Sequence, residues 1–144
     1  MIDNYLDILK LISDTGLLIL IWLVQLIIYP SFRHTTIEKL IIWHPIYTTR
    51  ITTVVLPLML SQIILSGLLV FNNEWRSYYF LDFILVLATW ILTFTVFVPL
   101  HQKIDNPHTS NKFLFAKKLV QYNWIRTLLW TIISILTFSN VILI

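Results

Sequence analysis

No cysteine occurs in the 144 residues, which removes disulfides, thiolate metal ligands, iron–sulfur clusters and cysteine nucleophiles from consideration. Any metal or haem would have to be held by His, Met, Tyr, Asn, Gln or a carboxylate. Charge is scarce too, at 12% Asp, Glu, Lys and Arg. No ionisable side chain is expected near the middle of a long apolar run, and Asp82 is the only acid read close to one, at its end; an ion path therefore lacks its usual markers. Glycine occurs twice, and Gly67 with Ser66 beside it makes no small-xxx-small packing motif. No internal repeat, low-complexity tract or second domain is apparent, so an inverted-repeat transporter has no support.

What is there is apolar. The chain is 58% hydrophobic with a mean hydropathy of +0.81, outside the range of ordinary water-soluble domains. An integral membrane protein of one domain is expected. The start, MIDNYLDILKLISD, sets three Asp against one Lys, the wrong charge for the leading region of a secretory signal, so the first apolar run is expected to remain in place.

Four spans are read, at about 12–32, 51–71, 80–100 and 124–144, each long enough at about 1.5 Å per residue to cross about 30 Å of hydrocarbon. Before the first, Ile2, Leu6, Leu9 and Ile12 recur at helical spacing and predict an amphipathic extension. On the first span Trp22, Gln25, Tyr29 and Phe32 share a face, and Pro30 is expected to end or kink the helix. Residues 33–50 read as a basic connection carrying an amphipathic piece, TIEKLIIWH, with Pro45 as a first-turn proline opening the second helix. Pro57 predicts a kink and Gln62 a buried amide. Asn72 to Ser77 reads as a tight turn, making an antiparallel hairpin of spans two and three, and Asp105-Asn106-Pro107 marks another turn. From Phe113 a helical pattern runs into the last span. There Asn123, Arg126, Trp130, Ser134 and Thr137 fall on one stripe, which a helix surrounded by lipid would not need. The fold class is all-α: an antiparallel up-down-up-down four-helix transmembrane bundle.

Arg33, Lys39, Arg50, Lys103, Lys112, Lys117, Lys118 and Arg126 lie at one end of this bundle, against Lys10 and Arg76 at the other. The bias predicts an inner-membrane protein with that end in the cytoplasm and both termini outside. It also accounts for the +3 net charge without nucleic acid. The polar residues form an elongated candidate pocket: His44, Arg50, His101, Asn123 and Arg126 at a cytoplasmic mouth, Gln25, Tyr29, Trp90 and Gln62 deeper. His44 and His101 are the candidate metal or haem ligands, or interfacial histidines. Arg50 and Arg126 would clamp an anion, or snorkel. Gln25 and Gln62 need partners from another helix or a ligand. His44 and Gln62 cannot share one ion, being 18 residues and about 27 Å apart along a helix.

The set Trp22-x-x-Gln25-x-x-x-Tyr29-Pro30-x-Phe32, His44-x-x-Tyr47-x-x-Arg50, Pro57-x-Met59-x-x-Gln62, Val98-Pro99-x-His101 and Asn123-Trp124-Ile125-Arg126-Thr127 resembles a family of small, uncharacterised four-span bacterial membrane proteins over nearly the whole chain. In that family an acid often stands where this chain has Gln62, and a second histidine can stand where it has Tyr47, so both departures remove possible metal ligands here. The Asn-Arg pair and the four-span layout are more distantly similar to the anthrone oxygenase-like membrane family. That resemblance implies an oxidoreductase acting on a lipophilic small molecule. In such an enzyme His44, His101, Arg50 and Arg126 would carry the chemistry, and Gln25, Tyr29, Tyr47, Gln62, Trp90, Asn123 and Trp124 would bind the substrate, with haem or a transition metal as the cofactor if there is one. A non-catalytic haem-, lipid- or pigment-binding protein, or an accessory subunit of a membrane complex, would use the same pocket; a transporter is the third reading. Membrane lipids and a homo-oligomeric assembly are the partners in view.

Overall fold

The computed structural model describes the backbone of residues 2–143 and the side chains of residues 5–142. The side chain of Ile2, part of the predicted amphipathic start, and residue 144, the end of the fourth predicted span, lie outside the described residues. Four antiparallel helices make up the fold, with no strand among the described residues. Helix α1 runs as α-helix over Ile2–Leu23, widens to a π-turn over Val24–Ile28, returns to α-helix for Tyr29–Ser31 and tightens to 3₁₀ over Phe32–His34. Helix α2 is Ile37–Asn72. Helix α3 is Ser77–Leu92, a π-turn over Thr93–Phe97, then Val98–Asp105. Helix α4 is Lys112–Leu143. All four are long and apolar enough to cross a membrane. Their outward faces agree, since Leu26, Ile27, Ile42, Phe71, Ile91, Phe94 and Leu128 are all exposed.

The two π-turns have one cause. A proline lacks the N–H that would bond four residues back, and its ring crowds that carbonyl. One turn upstream of Pro30 and of Pro99 the ladder shifts by a residue, so Tyr29 N–H bonds Val24 O and Val98 N–H bonds Thr93 O. Such wide turns are frequent at functional sites. Pro30 therefore does not end α1, which continues to His34.

The second helix departs further from expectation. Pro45 is not in its first turn, and neither Pro45 nor Pro57 breaks it: α2 is helical without interruption over 36 residues. Its buried and part-buried residues Leu40, His44, Tyr47, Ile51, Val55, Met59, Gln62, Ser66 and Leu69 follow each other at steps of three or four across both prolines, and in lipid a continuous helix is what keeps backbone groups paired. The basic connection of 33–50 is thus mostly helix. It adds some 14 residues, about 21 Å, beyond the expected span.

Helix α1 packs on α2 and α4, and α3 packs on the same two. Gly16 lets α1 approach α2 closely, because a Cβ there would stand 3.3 Å from Leu58 Cδ2. Leu17, Ile21, Val24, Met59, Val86, Leu119 and Ile133 fill the centre. At one end the hairpin turn puts Glu74 and Trp75 in the left-handed region. At the other, basic end, Lys112 Nζ donates to Ile104 O, at 2.6 Å, and to Asn106 O, holding the terminus of α3.

Candidate functional site

The stripe on α4 faces inward along its length: Asn123, Arg126, Trp130, Ser134 and Thr137 are all buried. It divides into two polar regions with different character.

The first lies towards the basic end. Arg126 is 7% exposed, with Phe97 and Trp130 against its guanidinium at 4.3 and 4.7 Å from the ring centroids. It interacts with the Tyr29 oxygen, its Nε is buried with no hydrogen-bond partner, and no carboxylate among the described residues pairs with it. It faces a cavity of about 300 Å³. Leu17, Ile21, Val24, Tyr29 and Trp130 form the buried floor. Helices α2 and α3 form the rim, where Thr52, Val98 and Gln102 are exposed. Tyr47, His101 and Asp105 complete the wall nearest the basic end.

A hydrogen-bonded chain leads from this cavity to the surface. Tyr29 Oη lies 3.1 Å from His101 Nε2, His101 Nδ1 lies 3.0 Å from His44 Nε2, and His44 Nδ1 lies 2.6 Å from Asp105 Oδ1. The imidazoles stack at 5.0 Å between centroids, and Phe32 packs edge-on against His44. One proton assignment satisfies every link. Tyr29 O–H donates to His101 Nε2, His101 Nδ1–H to His44 Nε2, and His44 Nδ1–H to Asp105. His44 is fully buried whereas the Asp105 side chain is 32% exposed, so the chain connects a buried phenol with water. Helix folding explains the convergence: the π-turns set Tyr29 and Phe97 inward, and the long start of α2 carries His44 up to the end of α3.

The second region lies towards the hairpin turn. Lys10 Nζ donates to Asp14 Oδ2 at 2.6 Å, Asp82 Oδ1 at 3.0 Å and Thr137 Oγ1 at 2.9 Å. Asp14 also accepts from Gln62 Nε2 at 2.6 Å and Thr137 Oγ1 at 2.7 Å, and Asp82 from Ser66 Oγ at 2.9 Å. Nearer that end, Tyr79 Oη and Asn140 Nδ2 each donate to Asp7 at 3.3 Å. The sequence keeps acids and bases away from the middle of the spans and puts Asp82 at a span end; what it does not foreshadow is that Lys10, Asp14 and Asp82 are all buried. They had been counted as flanking charges because each lies within about three turns of a helix start. Mutual pairing is what makes them tolerable inside. Trp130 separates the regions, with its ring against Arg126 and its Nε1–H donating to Gln62 Oε1 at 3.2 Å.

The remaining candidates scatter. Asn123 Nδ2 donates to Gln25 Oε1 at 2.9 Å, and Gln25 Nε2 to Val120 O at 3.3 Å, so this pair joins α1 to α4 outside the cavity wall. Gln62 belongs to the Lys10 cluster. Arg50 is exposed and does not line the cavity. The face that α2 turns to the cavity runs through Tyr47, Thr48, Ile51, Thr52 and Val55 and leaves Arg50 beside it. Trp90 is part-buried away from the cavity, its Nε1 unpaired. Trp124 is 49% exposed and meets Trp22 edge-on on the outer surface. Asp105, Phe97 and Trp130 join the site although sequence reasoning had not placed them in it. Asp105 was read only as a turn residue, and its single signal was a spacing of four from His101.

A metal or haem does not fit this set. All four imidazole nitrogens of His44 and His101 are engaged with each other, Asp105 and Tyr29, and no group of three or more His, Asp or Glu able to hold a metal ion occurs among the described residues. Comparison of the chain with family models, with curated proteins and with solved structures found no match.

Proposed function

We propose that the protein is a membrane-embedded enzyme acting on a lipophilic small molecule, and that its own residues perform proton transfer. The carrying observation is the chain Tyr29–His101–His44–Asp105 ending beside a buried guanidinium that has no acid partner among the described residues, in a cavity. A substrate X–H placed against the Tyr29 oxygen gives its proton to that oxygen as the phenolic proton moves to His101 Nε2. The Nδ1 proton of His101 then passes to His44 Nε2, and that of His44 to Asp105. One proton leaves the substrate and one arrives at the surface. The negative charge left on the substrate rests on Arg126, whose attraction is strengthened by the low dielectric around it. Run in reverse, the chain protonates a bound anion.

A purely binding role explains Arg126 and the cavity but leaves the four-member chain without a task. Oxidation, the reaction class that the resemblance to the oxygenase-like family implies, would follow deprotonation and needs dioxygen as co-reactant. The charge bias supports placing the basic end in the cytoplasm, both termini outside and the chain in the inner membrane. The apolar outer faces suit lipid or a second copy of the chain.

The test is deuterium incorporation. Protein in native-like membranes is incubated in heavy water with a lipid extract, under labelled dioxygen, and the extract is read by mass spectrometry. A lipophilic compound that gains deuterium or labelled oxygen with the wild type, and with neither Tyr29→Phe nor His101→Leu, is the expected result. Equal exchange with all three proteins sinks the proposal.

A further inference from the structure

Resting on the reading of the Arg126 cavity as a ligand site, we infer that its ligand is a singly charged amphiphile with a carboxylate-type head, two coplanar oxygens sharing one charge, that enters sideways from the lipid between α2 and α3. Three features of the cavity carry this. Among the described residues that line it Arg126 is the only Lys or Arg, buried and without an acid partner, so a monoanion balances it whereas a dianion would not. Asp105, the acid at the rim, already accepts from His44. With Phe97 and Trp130 against the guanidinium, what Arg126 offers to the cavity it lines is the in-plane edge of its N–H groups. A planar pair of oxygens bonds that edge with two parallel hydrogen bonds.

The cavity is also polarised along the bundle. Tyr29, Tyr47, His101, Gln102 and Asp105 line the part near the basic end, and Leu17, Leu20, Ile51 and Val55 the part towards the middle. Its volume of about 300 Å³ is at the small end of ligand sites, enough for a head and the first carbons. The exposed rim residues Thr52 and Val98 lie on the two helices between which a tail would pass into the bilayer.

The probe is a long-chain carboxylate carrying ¹³C in its head, titrated into the protein in nanodiscs of neutral phosphatidylcholine and followed by NMR. Saturable binding of one per chain is expected. Arg126→Gln should weaken it by at least about tenfold, as loss of a charge-assisted pair does, and Arg126→Lys should restore part of the loss. Thr52→Trp, at the rim, should slow entry. A primary alcohol of equal length that competes as well as the carboxylate, or binding that survives Arg126→Gln, overturns the ionic head. Equal competition by an alkyl sulfonate overturns the planar head, and equal binding of butyrate from water overturns entry from lipid. Circular dichroism of each variant separates loss of binding from loss of fold. If the carboxylate binds while no exchange depends on Tyr29, the enzyme reading falls and this inference stands. If Tyr29-dependent exchange occurs and no carboxylate binds, the outcome is the opposite.

Discussion

The two polar regions of this bundle hold buried cations in opposite ways. Lys10 has two carboxylates and a hydroxyl, and those carboxylates are in turn met by Gln62, Ser66 and Thr137. Arg126, at similar burial, has two aromatic rings and a phenol, and otherwise faces a cavity. A closed cluster is what a protein does to tolerate charge in its interior. An open one leaves an unmet interaction in place, and sites for ligands are built that way. On the proposed reading the difference separates structure from function within one helix, since Thr137 belongs to the first region and Arg126 to the second, with Trp130 between them.

Substitutions that force the two regions to behave alike, or keep them apart, sharpen this contrast. The largest effect on stability is expected from Lys10→Met, which leaves Asp14 and Asp82 facing each other without a cation. A loss of about 3–5 kcal/mol follows from breaking a buried ion network by removing one partner, read as a fall in the thermal unfolding midpoint in a mild detergent. Tyr29→Phe should cost little stability but reduce the deuterium exchange rate by about 10²- to 10⁴-fold, the usual worth of a positioned acid–base group. A drop in stability as large as that of Lys10→Met would place Tyr29 with the structural residues instead. Asn123→Leu removes the bond to Gln25 and should cost about 0.6 kcal/mol, and no more than about 1.7, with exchange kept within a few-fold. Its effect on both readouts should be the smallest of the three.

Much of the fold is legible in the amino-acid sequence, because four long apolar runs separated by polar turns leave few alternatives in a membrane. The inward stripe on α4 is legible for the same reason: Asn123, Arg126, Trp130, Ser134 and Thr137 are polar or amphipathic in a mostly apolar run, and helical spacing alone aligns them. The limits of each helix are less so. Residues 37–50 of α2 contain Glu38, Lys39, two threonines, an arginine and a proline, and resemble a connection by composition although they are helical. That extension is what carries His44 to Asp105, so the hydrogen-bonded chain could not be read without it. Lys10 and Asp14 were taken for flanking charges because periodicity says which face a residue is on and nothing of how deep it sits. Arg50 shows the converse, a residue of the right type at the right depth on the wrong face. The π-turn at Val24–Ile28 interrupts the regular period of α1, and Trp22, assigned to the face of Gln25 and Tyr29, points outward beside Trp124.

Arg126→Met is the most direct test of the division between a closed cluster and an open site. Methionine keeps much of the volume against Phe97 and Trp130 while removing a buried charge that no acid balances, and replacing buried charges with apolar groups of similar size is often neutral or stabilising. Thermal unfolding of this variant beside the wild type and Lys10→Met, in the same detergent, should give a midpoint equal to or above the wild type. A fall comparable to that of Lys10→Met would mean that Arg126 holds the bundle together, and would contradict its assignment to a ligand site.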